Sequence, residues 1–232
     1  RDCPPLITLL VSMDTVLALK GDGFVMMAAD CSSARSILVF STNEDKILEL
    51  DESKLLGQSG PQCDTSNFSE YIQKNLTLYE LNNGMRLSTH ATANYMRRQV
   101  IFSGKEILIG VGLDLTFVFV FVFCAYNGKL ADALRKGPYQ TNCLLGGYDK
   151  EVGASLYFMD VYSALSKVNF GVHGHASNFL LSIFDREWKE GLSVDEAKAI
   201  VEKCVAELHT RFLISQPNFI IKVVDVKGTR VL

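Results

Sequence analysis

A threonine hydroxyl becomes a nucleophile only beside a base that takes its proton and a charge that orients it. The stretch MDTVLAL, Met13 to Leu19, sets Thr15 at the head of a short apolar strand, so the question is what the rest of the chain brings to it. The other side chains with chemistry to offer are four histidines and six cysteines: Cys3, Cys31, Cys63, Cys124, Cys143 and Cys204. The cysteines are scattered and form no CxxC pair. Neither a zinc site nor a disulfide framework is expected, and reduced thiols fit a cytosolic protein. His173 and His175 make the one His-x-His pair. In a glycine-rich turn they read as half-exposed loop residues rather than metal ligands. No metal and no cofactor are expected.

The elements that must position these side chains belong to a chain of 232 residues, one large domain or two small ones. It is 48% hydrophobic and 21% charged with a net charge of −3, which fits a globular protein and gives no basic footprint for nucleic acid. Residues 1–12 read as an N-terminal extension. Their apolar run, Leu6 to Val11, is too short for a signal-peptide core, and Met13 reads as the start. TVLALKGDGFVMMAAD then predicts a hairpin around Gly21-Asp22-Gly23, ILVF another strand, and KILELDESKLLGQSG a second hairpin. Phe68, Tyr71, Ile72, Leu76 and Tyr79 fall at helical spacing behind an N-cap at Asp64, Thr65 or Ser66, and a second helix begins near Ser88-Thr89. TNCLLGGYD and ASLYFMD predict strands. ALSKVNFGVHG leads into a helix, SNFLLSIFDREW, and a capping box at Ser193 and Glu196 opens another with an apolar stripe of Ala197, Ile200, Val201, Cys204, Val205 and Leu208. NFIIKVVDVKGTRVL closes as a hairpin turning at Lys227-Gly228. Strands, two helices, strands, two helices, strands is an α+β order, two antiparallel sheets with helices outside them.

One stretch breaks the pattern. Val100 to Lys129 contains a run of alternating Val and Phe with no polar face. Ile107 to Tyr126 is long enough to cross a bilayer, at a cost of ~3 kcal/mol for Asp114 within it. Joining Gln99 to Leu130 restores one amphipathic helix, ATANYMRRQLADALRKGP. Valine codons begin GT and one lysine codon ends AG, the borders of an intron. The segment 100–129 is therefore read as an insert from an unspliced in-frame intron, with a surface insertion as the alternative.

The motifs MAADCSSARS (Met27 to Ser36), NEDKI (Asn43 to Ile47), SEYIQKNLTLY (Ser69 to Tyr79), LADALRKGPYQTNCLLGGYDKEVGASLYFMD (Leu130 to Asp160) and PNFIIKVVD (Pro217 to Asp225) resemble the beta-type subunits of the 20S proteasome. The resemblance runs from Met13 to the C-terminus apart from the insert, and is closest to a non-catalytic line of that family. It implies the N-terminal-nucleophile hydrolase fold, a four-layer αββα sandwich of two antiparallel sheets. It also implies a single proteasome-type domain over 13–232.

In active members of the family a propeptide is cut after Gly to free an N-terminal Thr, whose amine serves as base while an Asp and a Lys tune the charge. The resemblance implies that Asp30 is that Asp and that Lys46, sixteen residues on, is that Lys. Counting the same sixteen back from Asp30 reaches Asp14, so Thr15 is one residue out of register and should face the other side of its strand. Ser12, Met13 and Asp14 precede Thr15, with no Gly to cut after. The Gly-Ser-Gly-Ser turn of active members corresponds to Gly174-His175-Ala176-Ser177, and their Arg-Asp-x-x-Ser-Gly segment has no match near His209 to Asn218. No catalytic residue is expected, with Asp14 in the nucleophile's place and Asp30 and Lys46 as vestigial positions, pairing at a partly exposed site. The implied role is structural, in a hetero-oligomer of stacked heptameric rings of alpha and beta subunits. Unfolded protein substrates pass through its chamber, in cytoplasm and nucleus, with neither nucleic acid nor membrane as partner. Two other readings stand beside it: a hydrolase using Thr15, or Cys31 after cleavage, and a membrane-associated protein using residues 107–126.

Overall fold

The computed structural model describes residues 14–35, 38–99 and 139–232. The segment 100–129, the residue range 107–126 and the extension 1–12 lie outside the described residues. Among the described residues no helix is long and apolar enough to cross a membrane.

Two five-stranded antiparallel sheets form the centre. The first has the order β10-β1-β2-β11-β12, from β1 (Val16–Lys20), β2 (Val25–Asp30), β10 (Phe170–His173), β11 (Phe219–Asp225) and β12 (Gly228–Val231). The second runs β5-β6-β7-β8-β9, from β5 (Ile47–Asp51), β6 (Lys54–Ser59), β7 (Asn142–Asp149), β8 (Gly153–Met159) and β9 (Leu165–Val168). A separate two-stranded ribbon joins β3 (Ser33–Arg35) to β4 (Leu38–Ser41). Helices α1 (Gln62–Asn83) and α2 (89–99) cover the second sheet, and α3 (Ser177–Glu187) and α4 (Val194–Arg211) cover the first.

Strand alternation sorts the apolar side chains into three layers. On β1, Leu17 and Leu19 face α3 and α4, while Val16 and Ala18 face the other sheet. On the second sheet Leu145, Tyr157 and Met159 meet α1 and α2, while Leu144, Ala154 and Leu156 point inward. Helix, sheet, sheet, helix is the four-layer sandwich implied by the resemblance. The sheets touch through glycine: a Cβ on Gly57 would lie 2.7 Å from Val16 Cγ1, and one on Gly146 2.7 Å from Val25 Cγ1.

One expectation needs correction and one gap is filled. Helix α1 starts at Gln62 behind Pro61, with no side-chain cap, not behind Asp64, Thr65 or Ser66. Its first turn is largely exposed and so invisible to apolar periodicity. Pro61 supplies the entry angle and its carbonyl accepts from the Asp64 and Thr65 amides. ALSKVNFGVHG does lead into helix α3, but the sequence left unassigned the two strands it forms in different sheets, β9 and β10, with Asn169 between them and its carbonyl accepting from Lys20 N. β9 is half-exposed at best, too short and too polar to show a period. The capping box at Ser193 and Glu196 forms as read. In the stripe on α4 only Val205 falls short of full burial.

Gly57→Ala tests the sheet-to-sheet contact. The added methyl has nowhere to go between Val16 and Met27, so overpacking should lower the unfolding free energy by about 1–3 kcal/mol, read from denaturant melts at unchanged m-value.

Candidate functional site

The site lies where β1 begins. Val16 pairs with Ala29, which sets Thr15 beside Asp30, and Asp30 N donates to Thr15 O at 3.0 Å. Thr15 shares the strand parity of Leu17, and Asp14 that of Val16. Their side chains part accordingly. Thr15 Oγ1 donates to Gln216 Oε1 at 3.0 Å, away from the gap between the sheets, and Thr15 is completely buried. Asp14 turns inward, where Lys46 Nζ donates to its Oδ1 at 2.5 Å and Gly60 N to its Oδ2 at 3.4 Å.

Lys46, one residue ahead of β5, gathers the cluster. Its ammonium also donates to Asp30 Oδ1 and Oδ2, both at 3.0 Å, and to the Ser32 carbonyl at 2.7 Å. Asp30 Oδ1 accepts from Thr15 N at 2.8 Å and Oδ2 from Ser32 N at 3.3 Å. The sequence led us to expect this pair at a partly exposed site; it is instead largely buried. The side chains of Lys46 and Asp30 are 9% and 2% exposed, because the strand ends close over them. Burial is the largest influence on Asp30 and raises its carboxyl above the usual range, against the pull of Lys46. Burial also opposes charge on Lys46, but Asp30 and then Asp14 outweigh it and hold the ammonium above the ordinary lysine value.

The arrangement brings together Asp14, Asp30 and Lys46 and excludes the Thr15 hydroxyl. Among the described residues no base reaches that hydroxyl, which donates to a neutral amide oxygen. The Thr15 nitrogen is a peptide N–H spent on Asp30. Asp14 offers a carboxylate already held by a cation, a poor nucleophile toward an amide. Cys31 is buried, and burial first, then the Asp30 and Asp45 charges, push its thiol up, away from a reactive thiolate. His173 is not a half-exposed loop residue. It is a buried strand residue stacked on Phe158 at 4.1 Å, its Nε2 donating to Cys143 O at 3.1 Å, and burial lowers its pKa to about 4. His175 is exposed. Cys31, Cys63, Cys143 and Cys204 are free thiols, and no group of three metal-ligating side chains occurs among the described residues.

Sequence reasoning missed Gln216, the Ser32 carbonyl and the Gly60 amide. Gln216 lies 201 residues from Thr15, and no spacing could link them. Gly174 was reachable through its motif, and the structure gives the physical reason for it. Its φ is +92° and a Cβ there would stand 1.9 Å from Asp14 O, so only glycine lets this turn pass the start of β1.

A four-layer sandwich with an Asp and a Lys meeting the head of β1 defines the N-terminal-nucleophile hydrolase architecture. The family model for the proteasome subunit matches residues 12–114 and 124–224, and the chain belongs to that family. Within the segment 100–129 the match takes in 100–114 and 124–129 and leaves 115–123 unmatched. Among curated relatives, proteasome subunit beta type-2-B of Arabidopsis thaliana is 43% identical over 218 residues, 94% of each chain. Proteasome subunit beta type-2 of Dictyostelium discoideum is 40% identical over 223 residues, 95% of this chain and 97% of its own. A probable proteasome subunit beta type-4 of Schizosaccharomyces pombe is 35% identical over 220 residues, 94% of this chain and 98% of its own.

Lys46→Met strips both carboxylates of their cation and should cost about 3–5 kcal/mol at neutral pH. Because the folded pKa of Lys46 is raised, its charge stabilises the fold fully below pH 10.5 and that contribution fades as pH climbs through the raised value. Unfolding melts across that range should show the alkaline loss in the wild-type chain and its absence in Lys46→Met.

Proposed function

We propose that this chain is a non-catalytic beta subunit of the 20S proteasome core, filling one place in a seven-membered beta ring. It would contact an alpha ring on one side and the opposite beta ring on the other, and help wall the chamber in which neighbouring subunits cleave unfolded proteins, in cytoplasm and nucleus. The beta-type names of its relatives support the beta assignment. One observation carries the non-catalytic part: Asp14, not Thr15, faces Lys46, while the Thr15 hydroxyl is sealed against Gln216. Exposed apolar side chains such as Leu78, Leu81 and Met85 on and just after α1 supply surface of the kind that subunit contacts cover.

Thr15→Ala separates this reading from catalysis by Thr15. It removes the buried hydrogen bond to Gln216 and should cost about 0.5–1.5 kcal/mol of stability, without changing peptidase activity per assembled core particle. Loss of one class of peptide cleavage at normal assembly, or labelling of Thr15 by a hydroxyl-directed electrophile, would overturn the proposal.

Peptide mass spectrometry of the native core particle tests both assembly and the insert. A peptide joining Gln99 to Leu130 is the expected result, because the segment 100–129 divides a helical pattern that continues across it. The form that carries the segment should assemble poorly, and equal incorporation of forms with and without it would sink that expectation. Absence of this chain from the particle would sink the subunit reading.

A further inference from the structure

The sheet face beneath α2 carries a polar cluster that the site at β1 does not use. Lys54, Gly147 and Ser155 stand side by side on β6, β7 and β8. Ser155 shares its strand parity with Tyr157 and Met159, which puts it on the face that α2 covers. Thr89 and Thr92 sit one helical turn apart on α2 and are completely buried, next to Ala93 and Met96, which pack on that same face. Thr89 Oγ1 lies 2.4 Å from where a Cβ of Gly147 would be, so the threonine fills the place the glycine leaves.

The hydroxyl oxygens of Thr89, Thr92 and Ser155 are all buried without a hydrogen-bond partner among the described residues. Native interiors seldom leave such groups alone; ordered water is their usual partner. Gly147 and Ser155 are directly opposed on neighbouring strands, and such positions hold their Cβ atoms about 5 Å apart; Thr89 Oγ1 stands at the Gly147 position, so one bridging molecule can reach both it and Ser155. An anion has no call on this end of α2, because Asp149 already accepts from Thr89 N and Ser88 Oγ from Ala91 N. A cation is disfavoured by the buried Lys54 ammonium, whose stem lies over Gly147 and whose charge is held by Asp51. Water both donates and accepts, which is what three neutral hydroxyls require.

We propose that Thr89, Thr92 and Ser155 form an internal hydration site in which ordered water bridges the first turn of α2 to β8 across Gly147. Asp149 grips the start of α2 through the backbone, and the water grips it through side chains. The position of α2 on the sheet is then set at its beginning, independently of the residues beyond Gln99.

A density map of the assembled core particle at a resolution that shows ordered solvent tests this directly. A water within hydrogen-bond reach of at least two of the three oxygens is expected; hydroxyls turned onto protein carbonyls with no solvent between them would overturn the site. A double-mutant cycle of Thr89→Val and Ser155→Ala, read as melting temperature, provides the second test. The two losses should be coupled, with the double variant losing less than the sum, because both oxygens hold the same water. Strict additivity would overturn the bridge. If either variant fails to fold, the map decides.

Discussion

The closeness of the two sheets governs the rest of the molecule. Val16 reaches into the space over Gly57 and Val25 into that over Gly146, contacts that any larger residue would push apart. That approach fixes strand parity, since each residue of β1 and β2 must face either the opposite sheet or α3 and α4. Parity in turn decides the chemistry at the head of β1. Asp14 faces inward to Lys46, and Thr15 faces outward to Gln216. A shift of one residue along β1 would exchange the two, but it would also turn Leu17 and Leu19 into the glycine-lined gap and withdraw Val16 from it. The packing of the whole sandwich therefore opposes any arrangement that presents the Thr15 hydroxyl to Lys46.

The strand ends that close over Lys46 make a low-dielectric pocket, and the cluster obeys the rules of such a place. A lone buried ammonium is costly; two carboxylates and a carbonyl make this one tolerable. Asp30 has a second duty, holding Thr15 N and Ser32 N, so it ties β1 to the loop after β2 whether or not Lys46 is present. Lys222 plays a similar part at the sandwich edge. It reaches from β11 to the Ile47 carbonyl and pairs with Asp45 and Glu49, so the residues on either side of Lys46 are themselves fixed. The site is held from several elements at once, so its geometry is fixed by packing and ion pairing alone.

Much of this was legible in the chain. Period-2 runs with turn residues between them gave β1 and β2, β5 and β6, and β11 and β12, because hairpins pair residues close in sequence. The one-residue offset of Thr15 was legible too, once the family resemblance supplied Asp30 and Lys46 as the positions to count from. What stayed hidden is non-local or local without a period. Gln216 meets Thr15 across nearly the whole chain. The burial of Asp30 and Lys46 depends on how strand ends close, which no window of sequence records. β9 and β10 are four residues each, and the change of sheet at Asn169 leaves no periodic trace.

The survival of Asp30 and Lys46 beside an unsuitable residue needs no catalytic explanation. Replacing a whole buried ion cluster with well-packed apolar residues is often neutral or stabilising, but removing one member strands the others and is strongly destabilising. Single substitutions at Asp30 or Lys46 must therefore pass through a poorly stable form, even if a triple replacement would be harmless. Asp14 adds to this trap. Its carboxylate is a second counter-ion for Lys46, and Gly60 N and the turn at Gly174 are built around it. An Asp at this position faces Lys46 where the Thr15 hydroxyl does not, and strengthens the electrostatic reason to keep the lysine. On the proposed non-catalytic reading, the unsuitable nucleophile position and the retained charged residues are two consequences of the same side chain.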